Sequence, residues 1–181
     1  MNSARKPASD ADVIVVGAGP AGSTAATYLA RTGADVLLLE KASFPRDKVC
    51  GDGITPRGVR ELTDLGIDTS EAAGWVHSRG LRILTSELTL ELDWPNLASY
   101  PSYGVSRTRR DFDDLLAKTA QQSGARLLQQ TTATGAIADD RTGRVIGVHA
   151  ATGRDKTPVD YRAPLVLACD GVSARLAISI G

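Results

Sequence analysis

The stretch Val13–Glu40, VIVVGAGPAGSTAATYLARTGADVLLLE, decides the fold. It opens on four β-branched residues, Val13 to Val16, which read as a short strand buried on both faces. Gly17, Gly19 and Gly22 follow at GxGxxG spacing, and a helix-forming segment runs on to about Arg31. A second apolar run, Val36 to Leu39, ends in Glu40. Each part suits the grip of a dinucleotide. Gly17 permits the tight turn out of the strand, and Gly19 lets backbone come close to a pyrophosphate. Gly22 lets the helix lie near the sheet, with its N-terminal amides towards the anion. Glu40 lies 23 positions after Gly17, where a carboxylate at the end of a second strand can bond ribose hydroxyls. That charge would repel a ribose 2′-phosphate, so FAD or NAD is expected rather than NADP. Gly22 and Ala26 add a small-residue helix face, and Gly33 is a C-cap candidate. The competing reading is an ordinary βαβ unit with a glycine turn.

Composition sets the outer bounds. The chain has 181 residues with 21 basic and 21 acidic side chains, so nothing in its charge points to nucleic acid. Apolar residues make up 42%, adequate for a core, and no run approaches the roughly 18 needed to span a bilayer. Residues 1–10 are polar, read as a disordered tail, and lack the apolar centre of a secretory signal. Cys50 and Cys169 stand 119 positions apart in no metal-binding pattern, which suits a reducing cytoplasm. His77 and His149 are isolated, and no metal is expected.

Past Glu40 the chain enters a loop, KASFPRDKVCGDGITP, of a length that is more often functional than idle. Pro56 sits where a helix starts, and that helix is expected to reach about Leu65, with Gly66 ending it. From Gly80 to Asp93 the period becomes two: Leu88, Leu90 and Leu92 alternate with polar residues, as core-facing positions of a half-exposed antiparallel strand. Tyr103–Ser106 reads as a further short strand. Arg110–Ser123 reads as an amphipathic helix with Phe112, Leu115, Leu116 and Ala120 on one face, capped by Gly124. ARLLQQTTATGAI then gives one or two strands. RVIGVHA and TPVDYRA form a hairpin, and LVLACDG is a buried strand ending in Asp170. The fold class is α/β: a Rossmann-like dinucleotide-binding domain over 11–181, with a parallel sheet and a β-rich insertion that begins a substrate-domain sheet at about 80–106.

Taken together, these segments resemble the FAD-dependent geranylgeranyl reductase family, within the larger group that includes flavoprotein aromatic hydroxylases. VIVVGAGPAGSTAATYLARTGADVLLLEK is common to the whole group. FPRDKVCGDGITPRGV, Phe44 to Val59, resembles the more specific PxxKxCGxG stretch of the reductases. RRDFDDLLAKTAQQSGA resembles the helix that carries a flavin-contacting arginine, a role its register gives to Arg109. SYPSYG and DWP are most similar to actinobacterial menaquinone reductases. The resemblance implies a chain truncated before its C-terminal half, since such enzymes are roughly twice this long and carry a later Gly-Asp motif.

It also implies a site. FAD is the expected cofactor, held by Gly17, Gly19, Pro20, Ala21, Gly22, Glu40, Lys41, Cys50, Gly51, Gly53, Arg109, Ala133 and Asp170. Cys50 is the catalytic candidate, set against the flavin; it is either a thiol facing substrate or a residue that fits a tight spot beside glycine. Gly51 and Gly53 would let backbone approach the ring. Arg109 suits phosphate or ribose oxygens, against a solvated charge in RTRR. Ala133 would meet adenine through its backbone. Asp170 either bonds the flavin region or caps the following helix. Trp75 and Trp94 either line a lipid channel or pack.

The implied activity is FAD-dependent reduction of an isoprenoid double bond in a polyprenyl lipid, such as menaquinone or a geranylgeranyl group. The electron donor stays open. Such a lipid substrate implies peripheral contact with the inner face of the cell membrane. A flavin monooxygenase of an aromatic or quinone is the first alternative; its serine and arginine after the DG aspartate are replaced here by Ala174 and Ala177, with Arg175 off register. The second is a non-catalytic nucleotide-binding remnant.

Overall fold

The computed structural model describes residues 9–172 and 175–180. The chain divides into two compact units, one of 1–46 with 113–181 and one of 47–112. The tail expected at 1–10 and Ala174 lie outside the described residues, apart from Ser9 and Asp10. Asp10 is tied down: its amide donates to the Arg162 carbonyl at 2.8 Å and its carboxylate accepts from the Arg162 amide at 2.7 Å.

In the first unit, β1 (Val13–Val16), β2 (Val36–Leu39), β8 (Arg126–Leu128) and β12 (Leu165–Ala168) form a parallel sheet in the order β12-β1-β2-β8. The run-on apolar sequence of β1 and β2 follows from this, because both faces are covered. Val13, Val15, Val36 and Leu38 pack on the helical side with Ala26 of α1 (Pro20–Arg31) and Ala120 of α3 (Arg109–Gln122). Ile14, Val16, Leu37 and Leu39 face the other way, in one cluster with Val148 and Ala163. Val148 belongs to an antiparallel meander of β9 (Thr131–Ala138), β10 (Val145–Thr152) and β11 (Thr157–Arg162). Helices, parallel sheet and meander are therefore three layers, and the alternation of β1 and β2 side chains fills both gaps. Gly33, at φ 89°, follows α1, and Gly124, at φ 109°, follows α3, as a left-handed cap requires.

The second unit holds α2 (Pro56–Asp64), a three-stranded sheet of β3 (Gly53–Ile54), β7 (Gly104–Ser106) and β4 (Val76–Ser78), and a hairpin of β5 (Gly80–Leu84) with β6 (Thr89–Asp93). Val59, Leu62, Leu65, Trp75, Val105 and Phe112 are its buried side chains, with Trp75 edge-on to Phe112 at 5.9 Å. Trp75 is thus a packing residue.

Two expectations need correction. LVLACDG is not a fully buried strand: β12 pairs only with β1, at the sheet edge, and Leu165 is exposed. Leu88, Leu90 and Leu92 are not core either. The β5–β6 hairpin is a sheet of its own, and Leu81 opposite Leu92 and Ile83 opposite Leu90 share an apolar face open to solvent. The contrast is testable by urea unfolding. Leu38→Ala, in the closed core, should cost about 2–5 kcal/mol. Leu90→Ala should stay within about 0.5 kcal/mol.

Candidate functional site

The turn after β1 is built by exclusion of side chains. Gly17 sits at φ 96°, and a Cβ there would lie 2.5 Å from the Cys169 carbonyl oxygen. A Cβ on buried Gly22 would overlap the Gly17 carbonyl oxygen outright. Neither position tolerates alanine without backbone movement, so strand, turn and helix close on one another. Gly19, by contrast, faces open space: the nearest atom to a Cβ there is Arg46 Nη2 at 3.9 Å.

Gly19 is also the N-cap of α1, in extended conformation and without a side-chain cap. The first helical bond runs from the Ser23 amide to the Gly19 carbonyl at 2.9 Å. Pro20 brings no amide, and those of Ala21 and Gly22 come too early in the helix to find an acceptor within it. Open space and forward-pointing amides are what an entering diphosphate needs.

Glu40 closes the second wall. Its side chain is 4% exposed; Oε2 accepts from the Ala18 amide at 3.1 Å and Oε1 from the Ala42 amide at 2.9 Å. Its backbone joins the same knot, donating to the Leu128 carbonyl and accepting from the Thr131 amide, each at 2.9 Å. Arg46 lies along the carboxylate, with Nε 3.4 Å from Oε1 and Nη2 3.5 Å from Oε2. An ionised carboxylate has about four acceptor positions, so the two amides leave room for a ribose hydroxyl. Lys41, next in sequence, is exposed.

Arg46 and its second partner were not singled out by sequence reasoning. Its Nη1 pairs with Asp113 Oδ2 at 2.9 Å, and Asp113 is fully buried at the start of the α3 segment in this unit. The signal was present: Asp113 shares helical spacing with buried Leu116, Ala117 and Ala120, and a carboxylate in an apolar stripe asks for a cation.

Of the other expected residues in this unit, Ala133 is half-buried on β9 opposite Ala150. Asp170 Oδ2 accepts from the Leu176 amide at 3.0 Å, in the short helix α4 (Arg175–Ile178), so it caps the helix that follows.

In the second unit, Cys50 and Arg109, 59 positions apart, come to one cavity of about 330 Å³, lined also by Lys48, Asp52, Thr108 and Arg110. Asp52 fixes this meeting by accepting from the Arg109 amide at 3.0 Å. Cys50 is exposed, and Gly51 and Gly53 have only open space where a Cβ would stand. A thiol and three cations, Lys48, Arg109 and Arg110, therefore line one opening.

A model of the family described as "FAD binding domain" matches residues 10–181. The chain belongs to that family. FAD is the cofactor of such a domain, and the turn, the amides and Glu40 fit its adenosine diphosphate part. This FAD binding domain is 44% identical over 171 residues to a menaquinone reductase of Mycobacterium tuberculosis, covering 94% of this chain and 40% of that protein. It is 37% identical over 174 residues to digeranylgeranylglycerophospholipid reductase 1 of Methanopyrus kandleri, covering 94% and 42%. Among solved structures it matches a geranylgeranyl bacteriochlorophyll reductase-like protein from Thermoplasma acidophilum with a TM-score of 0.78 and 30% identity, covering 94% and 42%. The chain thus spans about 40% of the length of the curated relatives it matches.

The two thiols should report their surroundings. Burial, and then the charge of Asp170, push the Cys169 thiol above its usual range, so less thiolate is present at any given pH. Titration with a thiol reagent at neutral pH should show one fast group and one at least tenfold slower. Cys50→Ser should remove the fast phase alone.

Proposed function

We propose that the protein carrying this chain is an FAD-dependent reductase that saturates an isoprenoid double bond of a polyprenyl lipid, such as menaquinone or a geranylgeranyl group. The observation that carries this is the meeting of Cys50, on the segment whose sequence resembles the reductases, with Arg109 around one opening. Support also comes from the 44% identity to a menaquinone reductase.

The cofactor-binding residues are Gly17, Gly19, Pro20, Ala21, Gly22, Glu40, Lys41 and Ala133 towards the adenosine diphosphate part, and Cys50, Gly51, Gly53 and Arg109 towards the flavin part. Asp170, just past the end of β12, is kept in the set towards the flavin part, with its carboxylate also capping α4. When bound, FAD supplies the hydride chemistry. What the chain contributes is grip and shape. Gly19 leaves the diphosphate its space, Glu40 holds ribose, and Arg109 offers a fixed fork to oxygen acceptors. The exposed Cys50 thiol and water are the two candidates for supplying the proton that completes saturation of the alkene. Among the described residues no helix is long and apolar enough to cross a membrane. The lipid substrate is therefore met, on this reading, by peripheral contact at the inner face of the cell membrane.

Incubation of the full-length protein with reduced flavin and menaquinone, followed by mass spectrometry, should show a gain of two hydrogens in the quinone's tail. A gain of one oxygen would instead identify a monooxygenase. If Cys50→Ala leaves turnover unchanged, Cys50 is a packing residue and water supplies the proton.

A further inference from the structure

We propose that Arg46 is a positioning residue of the cofactor cradle, acting through Glu40 and anchored by Asp113. The inference rests on the assignment of the Gly17–Glu40 turn to FAD. One guanidinium is shared between two buried carboxylates. Glu40 and Asp113 are both nearly or fully withdrawn from water, and one guanidinium, 16% exposed, stands between them. Asp113 holds the Nη1 end in a short ion pair of 2.9 Å, whereas Glu40 meets the Nε–Nη2 edge at 3.4 and 3.5 Å. The pairing is therefore lopsided: Asp113 is the anchor, and the edge towards Glu40 is loose.

The loose edge faces the place where the ligand enters. Nη2 is the atom nearest to a Cβ on Gly19, at 3.9 Å, and Gly19 is where backbone is left bare for the diphosphate. The Phe44 ring lies under the guanidinium at 5.1 Å from its centroid, which keeps its plane from turning away. Nε and Nη1 are buried and make no well-aligned hydrogen bond, so their pairing is ionic and not geometrically saturated. A group so held does two things. It keeps Glu40 aimed, with its two amides, at the ribose position. It also puts a positive charge beside the path of a diphosphate without itself closing that path.

The test is a double-mutant cycle on FAD affinity, read by quenching of flavin fluorescence. Because Arg46→Met removes an ion pair from buried Asp113, the cycle is run in a D113N background, with apo-protein unfolding recorded for each variant. Arg46→Met and Glu40→Gln should each weaken FAD binding about tenfold, and the pair together little more than either alone, since one acts through the other. Arg46→Lys, made with Asp113 in place, should recover only part of the loss, because an ammonium cannot span both carboxylates. Additive losses, or no loss from Arg46→Met in a folded protein, would overturn the proposal and leave the cradle assignment standing. Absence of FAD binding by the wild-type protein would overturn both.

Discussion

The first unit depends on the placement of one buried carboxylate. Glu40 ends β2, and its side chain and backbone together bind the amide of Ala18 in the turn, the amide of Ala42 in the loop, and the start and end of the β8–β9 connection. A carboxylate in so little water would be costly if it stood alone. Stripping the partner from a buried ion pair typically costs about 3–5 kcal/mol. Here two amides and Arg46 share the charge, so the residue proposed to hold ribose also ties the end of the sheet together. Function and stability are not separable at this position. At Gly19 they are: nothing packs where its side chain would be, which leaves the space the proposed diphosphate would take.

The second constraint is steric. Gly22 lies against the Gly17 carbonyl, and Gly17 against that of Cys169. These contacts draw α1, β1 and the end of β12 to one point, which is why Cys169 is half-withdrawn from solvent although β12 is an edge strand. The proposed cofactor contacts divide between the two units. Glycine turn, Glu40, Arg46 and Ala133 belong to the first. Cys50, Gly51, Gly53 and Arg109 belong to the second.

Much of this was legible in the sequence, for physical reasons that can be named. Val13–Val16 and Val36–Leu39 are apolar at every position because both sheet faces are covered. Phe112, Leu116 and Ala120 gave α3 by their spacing. The meeting of Cys50 with Arg109 could not come from periodicity, since Asp52 brings them together across 57 positions; only the resemblance to a family anticipated it. Leu90 and Leu92 misled because alternation tells which face is apolar and not whether another layer covers it. LVLA misled in the same way, since an apolar run does not say whether its strand is central or at an edge. Arg46 and Asp113 were passed over because charges in a loop and on a helix usually face water. The position of Asp113 within an apolar stripe was the overlooked sign.

We propose that the first unit by itself grips the adenosine diphosphate part of FAD. Calorimetric titration of the apo protein with ADP-ribose and, separately, with FMN tests it most directly. ADP-ribose should bind saturably and compete with FAD, with FMN at least tenfold weaker. Tight FMN binding with no binding of ADP-ribose would contradict the account.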